Sequence, residues 1–157
     1  MGAIRKVSKK GIDLLKKLEG WRNHPYLDSA GIATIGYGNT FYLDGKRVSM
    51  TDSPITQTEG ESLLKAILEH FEKAVSKEVI TTLGIKDNQY DALVIFAYNV
   101  GIHAFKSSTL LKRVLANPDD EDIKYQFSRW NKAGGRVSKG LIKRRNQEAW
   151  LYFEHLR

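Results

Sequence analysis

The chain of 157 residues has no cysteine, which excludes disulfides, thiol nucleophiles and cysteine-held metals. No apolar run approaches the length of a membrane span. The first ten residues carry Arg5, Lys6, Lys9 and Lys10 with no apolar core behind them, so they do not read as a signal peptide. His24, His70, His103 and His155 are scattered without ligand spacing, which argues against a metal site or a metal cofactor. The glycines form no phosphate-binding loop, and no repeat, low-complexity tract or linker divides the chain. Acidic residues are missing where basic ones are dense. Between Ser128 and Gln147 stand Arg129, Lys132, Arg136, Lys139, Lys143, Arg144 and Arg145, with no acidic residue among them.

What is present is an ordinary globular composition, 41% apolar and 27% charged, at a length that suits one domain with a core divisible into two lobes. A net charge of +7 and a pI near 9.5 imply an anionic partner. Zinc-finger spacing, basic-zipper heptads and an RNA-binding aromatic signature are all missing, so nucleic acid is not the expected partner. The 129–145 stretch reads instead as a solvated basic face that concentrates the protein on an anionic polymer.

Residues 8–19 have helical spacing, with Ser8 placed to cap the start and Gly20 to stop the end. Ile12, Leu15 and Glu19 share one face, so Glu19 extends an apolar stripe while Lys16 and Lys17 face solvent. Residues 24–53 read as a small β region, with Asp44-Gly45 a two-residue hairpin signal between Phe41-Tyr42-Leu43 and Lys46-Arg47-Val48. Thr56 and Glu59 form a capping box. Beyond it Leu64, Ile67, Leu68, Phe71, Val75 and Val79 keep helical spacing over about six turns. The remainder is helical: a segment capped by Asp87 and ending near Gly101, one opened by Ser108 or Thr109 and stopped at Asn117-Pro118, and one led by Asp119 and Asp120. A final helix runs from about Lys139 to His155 after a break at Gly134-Gly135. The expected architecture is α+β and mostly helical. A three-stranded antiparallel β lobe (about 21–55) joins by the long helix to a helical lobe (about 80–157 plus the N-terminal helix). Glu19 is expected to face a cleft between them.

Eight residues separate Glu19 from Asp28, and five separate Asp28 from Thr34. Glu19 closes a helix, where the macrodipole disfavours negative charge, the setting a general acid needs near neutral pH. Alone it reads equally as a solvent-facing or arginine-paired helix end. Asp28 lies in the turn string Asp28-Ser29-Ala30-Gly31 and alone is an ordinary turn acceptor. Thr34, Gly36 and Gly38 alternate onto one strand face, bare enough for a polymer or simply part of a twisted edge hairpin. Taken together, two carboxyl groups in unlike settings and a hydroxyl to hold water suit glycosidic hydrolysis.

With these residues in place, the chain resembles the phage-type lysozymes, the endolysins of glycoside hydrolase family 24, over nearly its whole length. Glu19, Asp28 and Thr34 match the family spacing without a gap. Supporting segments include Ala33–Gly38, Asn88–Leu93, Phe96–Gly101, Ser108–Leu111, Ser128–Trp130 and Gly140–Glu148. The resemblance implies cleavage of the β-1,4 bond between N-acetylmuramic acid and N-acetylglucosamine in bacterial peptidoglycan. Glu19 would be the general acid, while Asp28 and Thr34 would position water and stabilise the transition state. It implies inversion, which requires carboxyl groups roughly 6.5–9.5 Å apart against about 5–5.5 Å for retention.

The resemblance further implies a monomer without cofactor, held in the host cytoplasm until a holin opens the inner membrane. Many relatives carry an N-terminal signal-anchor segment that is not seen here, and no stable membrane insertion is expected. Tyr98 and Asn99 lie in a segment matching a cleft-lining stretch of the family. Asn99 is a candidate sugar-amide contact or a helix cap before Gly101. Trp21 stacks on a sugar or packs locally. Arg144 or Arg136 pairs with Glu19 or belongs to the basic face. Trp130 is expected in the core with Ile123 and Phe127. A lytic transglycosylase, a non-catalytic glycan binder and a cationic membrane-active antibacterial are the competing readings.

Overall fold

A computed structural model describes residues 4–154. The chain divides into two compact units, Ile12–His70 and the described residues on either side of it. Among the described residues no helix is long and apolar enough to cross a membrane, and no group of three His, Cys, Asp or Glu is placed to hold a metal ion.

Helix α1 (Lys9–Glu19) starts where its cap dictates. Ser8 Oγ accepts the Gly11 N–H at 3.3 Å, one of the donors a helix start leaves orphaned. Gly20 stops the helix at φ +75°, its N–H donating to Lys16 O at 2.9 Å. Ile12 and Leu15 are buried along the predicted stripe. Lys16 departs from the expected solvated face. Its Nζ lies 3.0 Å from Glu61 and over the Tyr37 ring.

The smaller unit is built on β1 (Arg22–Leu27) and β2 (Ala33–Gly36), an antiparallel pair. Arg22 pairs with Gly36 and Tyr26 with Thr34, so Asn23, His24 and Pro25 bulge opposite the single residue Ile35. Pro25 has no N–H to give the ladder, which is why the pairing breaks there. The expected third strand is not formed: the sheet has two strands, and the 41–47 hairpin closes through one bridge between Phe41 and Arg47. Its turn uses three residues rather than two. Tyr42 N donates to Lys46 O (2.9 Å), Gly45 N to Tyr42 O (3.0 Å), and Gly45 takes φ +84°. Such a bulged loop twists its arms apart.

The strand also ends earlier than the alternation suggests. Gly36 and Gly38 both have left-handed φ (+67° and +87°), and the chain doubles back so that Ile35 and Asn39 exchange both backbone bonds at 2.9 Å. Thr34, Gly36 and Gly38 therefore share no bare face. Thr34 is 3% exposed, and a Cβ on Gly36 would lie 3.4 Å from Ile55 and 3.6 Å from Trp21. The left-handed backbone is what calls for glycine here, and its open face is covered by Ile55 and Trp21. Ile35, Val48 and Leu63 form the core of this unit, with Ala33, Tyr42 and Ile55 against them.

Helix α2 (Gln57–Val79) opens on the predicted box: Glu59 N donates to Thr56 Oγ1 (3.1 Å) and Thr56 N to Glu59 Oε1 (3.3 Å). Helix α3 (Asp87–Val100) is capped at Lys86, one residue before the expected Asp87. The Lys86 N–H donates to Gln89 Oε1 at 2.9 Å, and Asp87 instead pairs with Arg5. Every residue of α3 from Gln89 to Ala97 is buried, so it is enclosed all round rather than amphipathic. Gln89 is satisfied by Pro118 O and Asp119 Oδ1, and Asn88 by the carbonyls of Leu151 and Tyr152.

Around α3 lie α4 (Ile102–Ser107), α5 (Thr109–Ala116) and α6 (Asp122–Ser128). Ser108 caps α5 by accepting the Leu111 N–H at 3.1 Å. Phe96 meets Phe105, Phe127 and Trp130 edge to face, and Phe127 meets Tyr152, an aromatic core in which Trp130 stays half-buried. Gly134-Gly135 does more than break the chain. With φ of +57° and +77° it turns β3 (Lys132–Ala133) into β4 (Arg136–Val137), the loop type both central left-handed residues favour. Helix α7 (Lys139–Tyr152) follows; its expected end at His155 lies outside the described residues.

The loop after the 41–47 hairpin sets up a pH-dependent contact. Asp52 Oδ2 accepts both the Ser49 N–H and the Tyr42 hydroxyl at 2.7 Å. These bonds, the Ser49 N–H first, hold the Asp52 carboxyl below its usual range. Burial, with Asp52 beside it, pushes the Tyr42 phenol up to about 12. A depressed carboxyl contributes stability above its unfolded pKa and loses it as pH falls through the folded one; the raised phenol contributes until pH climbs through about 12. Tyr42→Phe should raise the Asp52 pKa part of the way to its ordinary value, measured by carboxyl-resolved NMR titration, because the Ser49 N–H remains.

Candidate active site

Glu19, Asp28 and Thr34 all lie in the smaller unit: Glu19 ends α1, and the hairpin of β1 and β2 positions Asp28 and Thr34. Asp28 begins the turn between β1 and β2. Its Oδ1 accepts the N–H groups of Ala30 (2.8 Å) and Ile32 (2.9 Å), while its own N–H donates to Ile32 O at 3.0 Å. The aspartate is thus the turn acceptor that its local sequence suggests. That duty occupies one oxygen only. Among the described residues no group hydrogen-bonds to Oδ2, and the side chain is half-buried.

Thr34 is tied to the same carbonyl. Its hydroxyl donates to Ile32 O at 2.8 Å, so Ile32 O takes one hydrogen bond from Asp28 and one from Thr34. A hydroxyl has one proton to donate. With that proton directed at Ile32, Thr34 Oγ1 can meet a water only as an acceptor.

Glu19 reaches the other end of the hairpin. Its half-buried carboxyl faces the tight turn after β2, where a Cβ placed on Gly38 would stand 3.6 Å from Oε2. Glycine there serves the left-handed φ and keeps the space beside the carboxyl open. The last turn of α1 is held from two sides. Lys16 bonds to Glu61, holding that carboxyl below its usual value together with Lys65. Trp21 packs on Tyr37 with ring centroids 4.9 Å apart and lies over Gly60 of α2. Trp21 thus packs locally against Tyr37 and Gly60, two residues along from Glu19.

The other residues singled out from the sequence lie in the larger unit. Tyr98 packs on Phe71, ring centroids 5.1 Å apart. Asn99 is exposed, and its Oδ1 accepts from Arg145 Nη2 at 2.6 Å. Arg144 is buried with its Nε 3.1 Å from Glu148 Oε2 and its Nη2 3.4 Å from Ile95 O. Arg136 stands exposed on β4. The basic stretch is not one solvated face, because Arg144 and Arg145 turn inward onto Glu148. Arg145, which sequence reasoning grouped with the surface, is 1% exposed beneath the Phe96 ring. The signal for this was the Arg144, Arg145, Glu148 spacing of three and four residues on α7, the separation at which helix side chains meet. Lys16, Gly38 and Gly60 were also missed, because their roles depend on partners distant in sequence.

A mostly helical α+β chain with one carboxyl group at the end of its first helix and another in the turn of a two-stranded hairpin has the architecture of lysozyme-like proteins. Residues 16–148 match the family described as phage lysozyme. The chain is 38% identical over 148 residues to an endolysin of Bacillus phage B103, covering 93% of this chain and 53% of that protein. It is 37% identical to the endolysin of Salmonella phage P22, covering 93% of this chain and 97% of the relative. It thus spans about half the length of the Bacillus phage relatives and nearly all of the P22 one. An endolysin from Escherichia coli O157:H7 phage FAHEc1 superposes with a TM-score of 0.89 at 37% identity, covering 99% of this chain and 98% of that structure. The chain belongs to the phage lysozyme family.

The seat beneath Trp21 can be tested directly. A Cβ on Gly60 would fall 2.8 Å from Trp21 Cη2, with Cζ3 closer still. Gly60→Ala should cost about 2 kcal/mol through overpacking, despite alanine's better helix propensity. Urea titration followed by tryptophan fluorescence measures it. Thr34→Val, which removes only the bond to Ile32 O, should cost about 1 kcal/mol by the same measurement.

Proposed function

We propose that the chain is a muramidase that hydrolyses the β-1,4 bond between N-acetylmuramic acid and N-acetylglucosamine in bacterial peptidoglycan, and so lyses its host. The observation that carries this reading is the hairpin itself. In a phage lysozyme chain the turn after it brings Gly38 beside the Glu19 carboxyl, and its own turn ties the Asp28 carboxylate to the Ile32 N–H and the Thr34 hydroxyl to the Ile32 carbonyl.

Glu19 donates its proton to the glycosidic oxygen as the bond to the anomeric carbon lengthens, so the sugar leaves as an alcohol. Positive charge grows on the anomeric carbon and ring oxygen. Asp28 answers that charge with Oδ2, because Oδ1 is fixed by two backbone N–H groups. The attacking water donates one hydrogen to Thr34 Oγ1, which has no proton left to offer, and the other toward Asp28. Its lone pair is then directed at carbon, on the face opposite the leaving group, and the product inverts. The backbone bonds around Ile32 orient both groups before substrate arrives, so little reorganisation is needed during the reaction. The rest of the proposal is a monomer that waits in the host cytoplasm and reaches the wall through a holin lesion. Asn99, Tyr98, Trp21 and Arg144 contribute no chemistry to these steps.

Glu19→Gln should fold with wild-type stability and lose at least about 10²-fold in wall hydrolysis, the range a general acid supplies. Purified peptidoglycan digested by wild type should release disaccharide-peptides with reducing muramic acid, read by mass spectrometry, and by the variant essentially none. Anhydro ends would assign a transglycosylase instead. Retention of more than roughly a tenth of the activity would remove Glu19 from the acid role.

A further inference from the structure

The 41–47 hairpin takes no part in the hydrolytic steps, yet it presents large apolar side chains to solvent. Every residue from Leu43 to Arg47 is exposed, and Phe41 and Leu43 are 40% and 68% exposed. Alternation along the first arm explains this. Tyr42 turns inward, where its hydroxyl donates to Asp52 Oδ2, so Phe41 and Leu43 on either side of it turn outward. Arg47 is bridged to Phe41 across the hairpin, and its guanidinium lies 5.1 Å from the centre of the Phe41 ring. Neither Lys46 nor Arg47 is paired with a carboxylate among the described residues. The one carboxylate of the hairpin, Asp44, accepts the Lys46 N–H at 2.9 Å. Leu63, Ala66, Ile67 and His70 of α2 form, with Phe41, Tyr42 and Leu43, a groove of about 310 Å³. Hairpin and groove both lie within the smaller unit.

We infer that this hairpin is a peripheral contact for an anionic lipid surface. Phe41 and Leu43 enter the boundary between headgroups and acyl chains, and Lys46 and Arg47 meet the lipid phosphates. Acyl methylenes take the place of water in the groove. Large apolar side chains beside unpaired cations on one exposed turn are the pattern of an interfacial anchor. The buried centre of a protein interface is instead depleted in charge, lysine included. A sugar fits no better, because the groove is mostly apolar and the Tyr42 hydroxyl is already given to Asp52, so sugar hydroxyls would lack partners. The net charge of +7 draws the whole chain toward the same surface. Two apolar side chains and two cations make a reversible contact, not an insertion. Such a contact would hold a muramidase at the inner face of its host's membrane, and it needs none of the hydrolytic steps.

Co-sedimentation of the intact protein with lipid vesicles at about 0.1 M salt tests this. Vesicles contain no glycosidic bond, so binding is read apart from hydrolysis. Vesicles of phosphatidylglycerol mixed equally with phosphatidylcholine should bind at least about tenfold more tightly than phosphatidylcholine alone. Phe41→Ser with Leu43→Ser, and separately Lys46→Gln with Arg47→Gln, should each weaken binding to the mixed vesicles at least about fivefold. The second pair lies wholly at exposed positions, so its loss of binding is not a loss of fold. Leu43→Trp should add emission that shifts to the blue on addition of mixed vesicles, as an indole leaving water does. Arg129→Gln with Lys132→Gln, in the basic stretch after α6, should bind within about twofold of wild type. Equal binding to both kinds of vesicle, or binding to neither, would overturn the inference. So would hairpin variants that bind as wild type does, above all if the Arg129 and Lys132 pair proves to carry the binding. Vesicle binding by a protein that cleaves no wall would leave the hairpin contact standing and sink the muramidase reading.

Discussion

Asp91, buried on α3, takes the Ser8 N–H on one oxygen at 3.0 Å and the Ser8 hydroxyl on the other. Ser8 is the residue that caps α1, so this carboxyl decides where the helix carrying Glu19 begins. The preceding segment is fixed as thoroughly. Arg5 N donates to Ser76 Oγ, Tyr90 OH to Arg5 O at 2.6 Å, and Val7 N to Glu72 Oε2 at 2.7 Å. Burial pushes the Asp91 carboxyl up, and the two bonds from Ser8 oppose that effect. Gly11 completes the joint, since a Cβ there would fall 2.8 Å from Asp91 Cγ. The helix that begins there runs for eleven residues, and its last residue is Glu19.

The opposite end of the site is held by backbone rather than by side-chain ion pairs. Asp28 and Thr34 meet at one carbonyl, and the hydrogen bonds that orient them lie within five residues of each other in sequence. Such contacts form with the turn and need no distant partner. Asp28 and Thr34 are thus oriented by local geometry, whereas α1, which ends in Glu19, is anchored at its start by a partner distant in sequence.

Sequence reasoning succeeded where one residue and its near neighbours decide the outcome. The Ser8 and Gly20 ends of α1, the Thr56–Glu59 box and the Ser108 cap are all short-range hydrogen-bonding choices, and each stands as read. It failed where the deciding partner is remote. The glycines at 36 and 38 looked like room for a polymer, yet Ile55 and Trp21 fill one of those spaces. Lys16 looked solvated because Glu61 lies far along the chain. Arg144 and Arg145 belonged by composition to a basic face; their spacing from Glu148 signals that pairing, but the sequence does not reveal that α7 turns them toward Ile95 and Asn99 of α3. The Asp44-Gly45 signal located a turn and gave one residue too few for its loop.

The three tryptophans occupy three different surroundings. Trp21 is half-buried against Tyr37 in the smaller unit, Trp130 is half-buried against Phe96 in the larger one, and Trp150 is 62% exposed on α7. The molecule thus carries its own spectroscopic labels. Emission from Trp21 follows the unit that bears Glu19 and Asp28, Trp130 follows the aromatic core around Phe96, and Trp150 supplies a solvated reference. With single-tryptophan variants, loosening of either unit can be followed separately without an added dye.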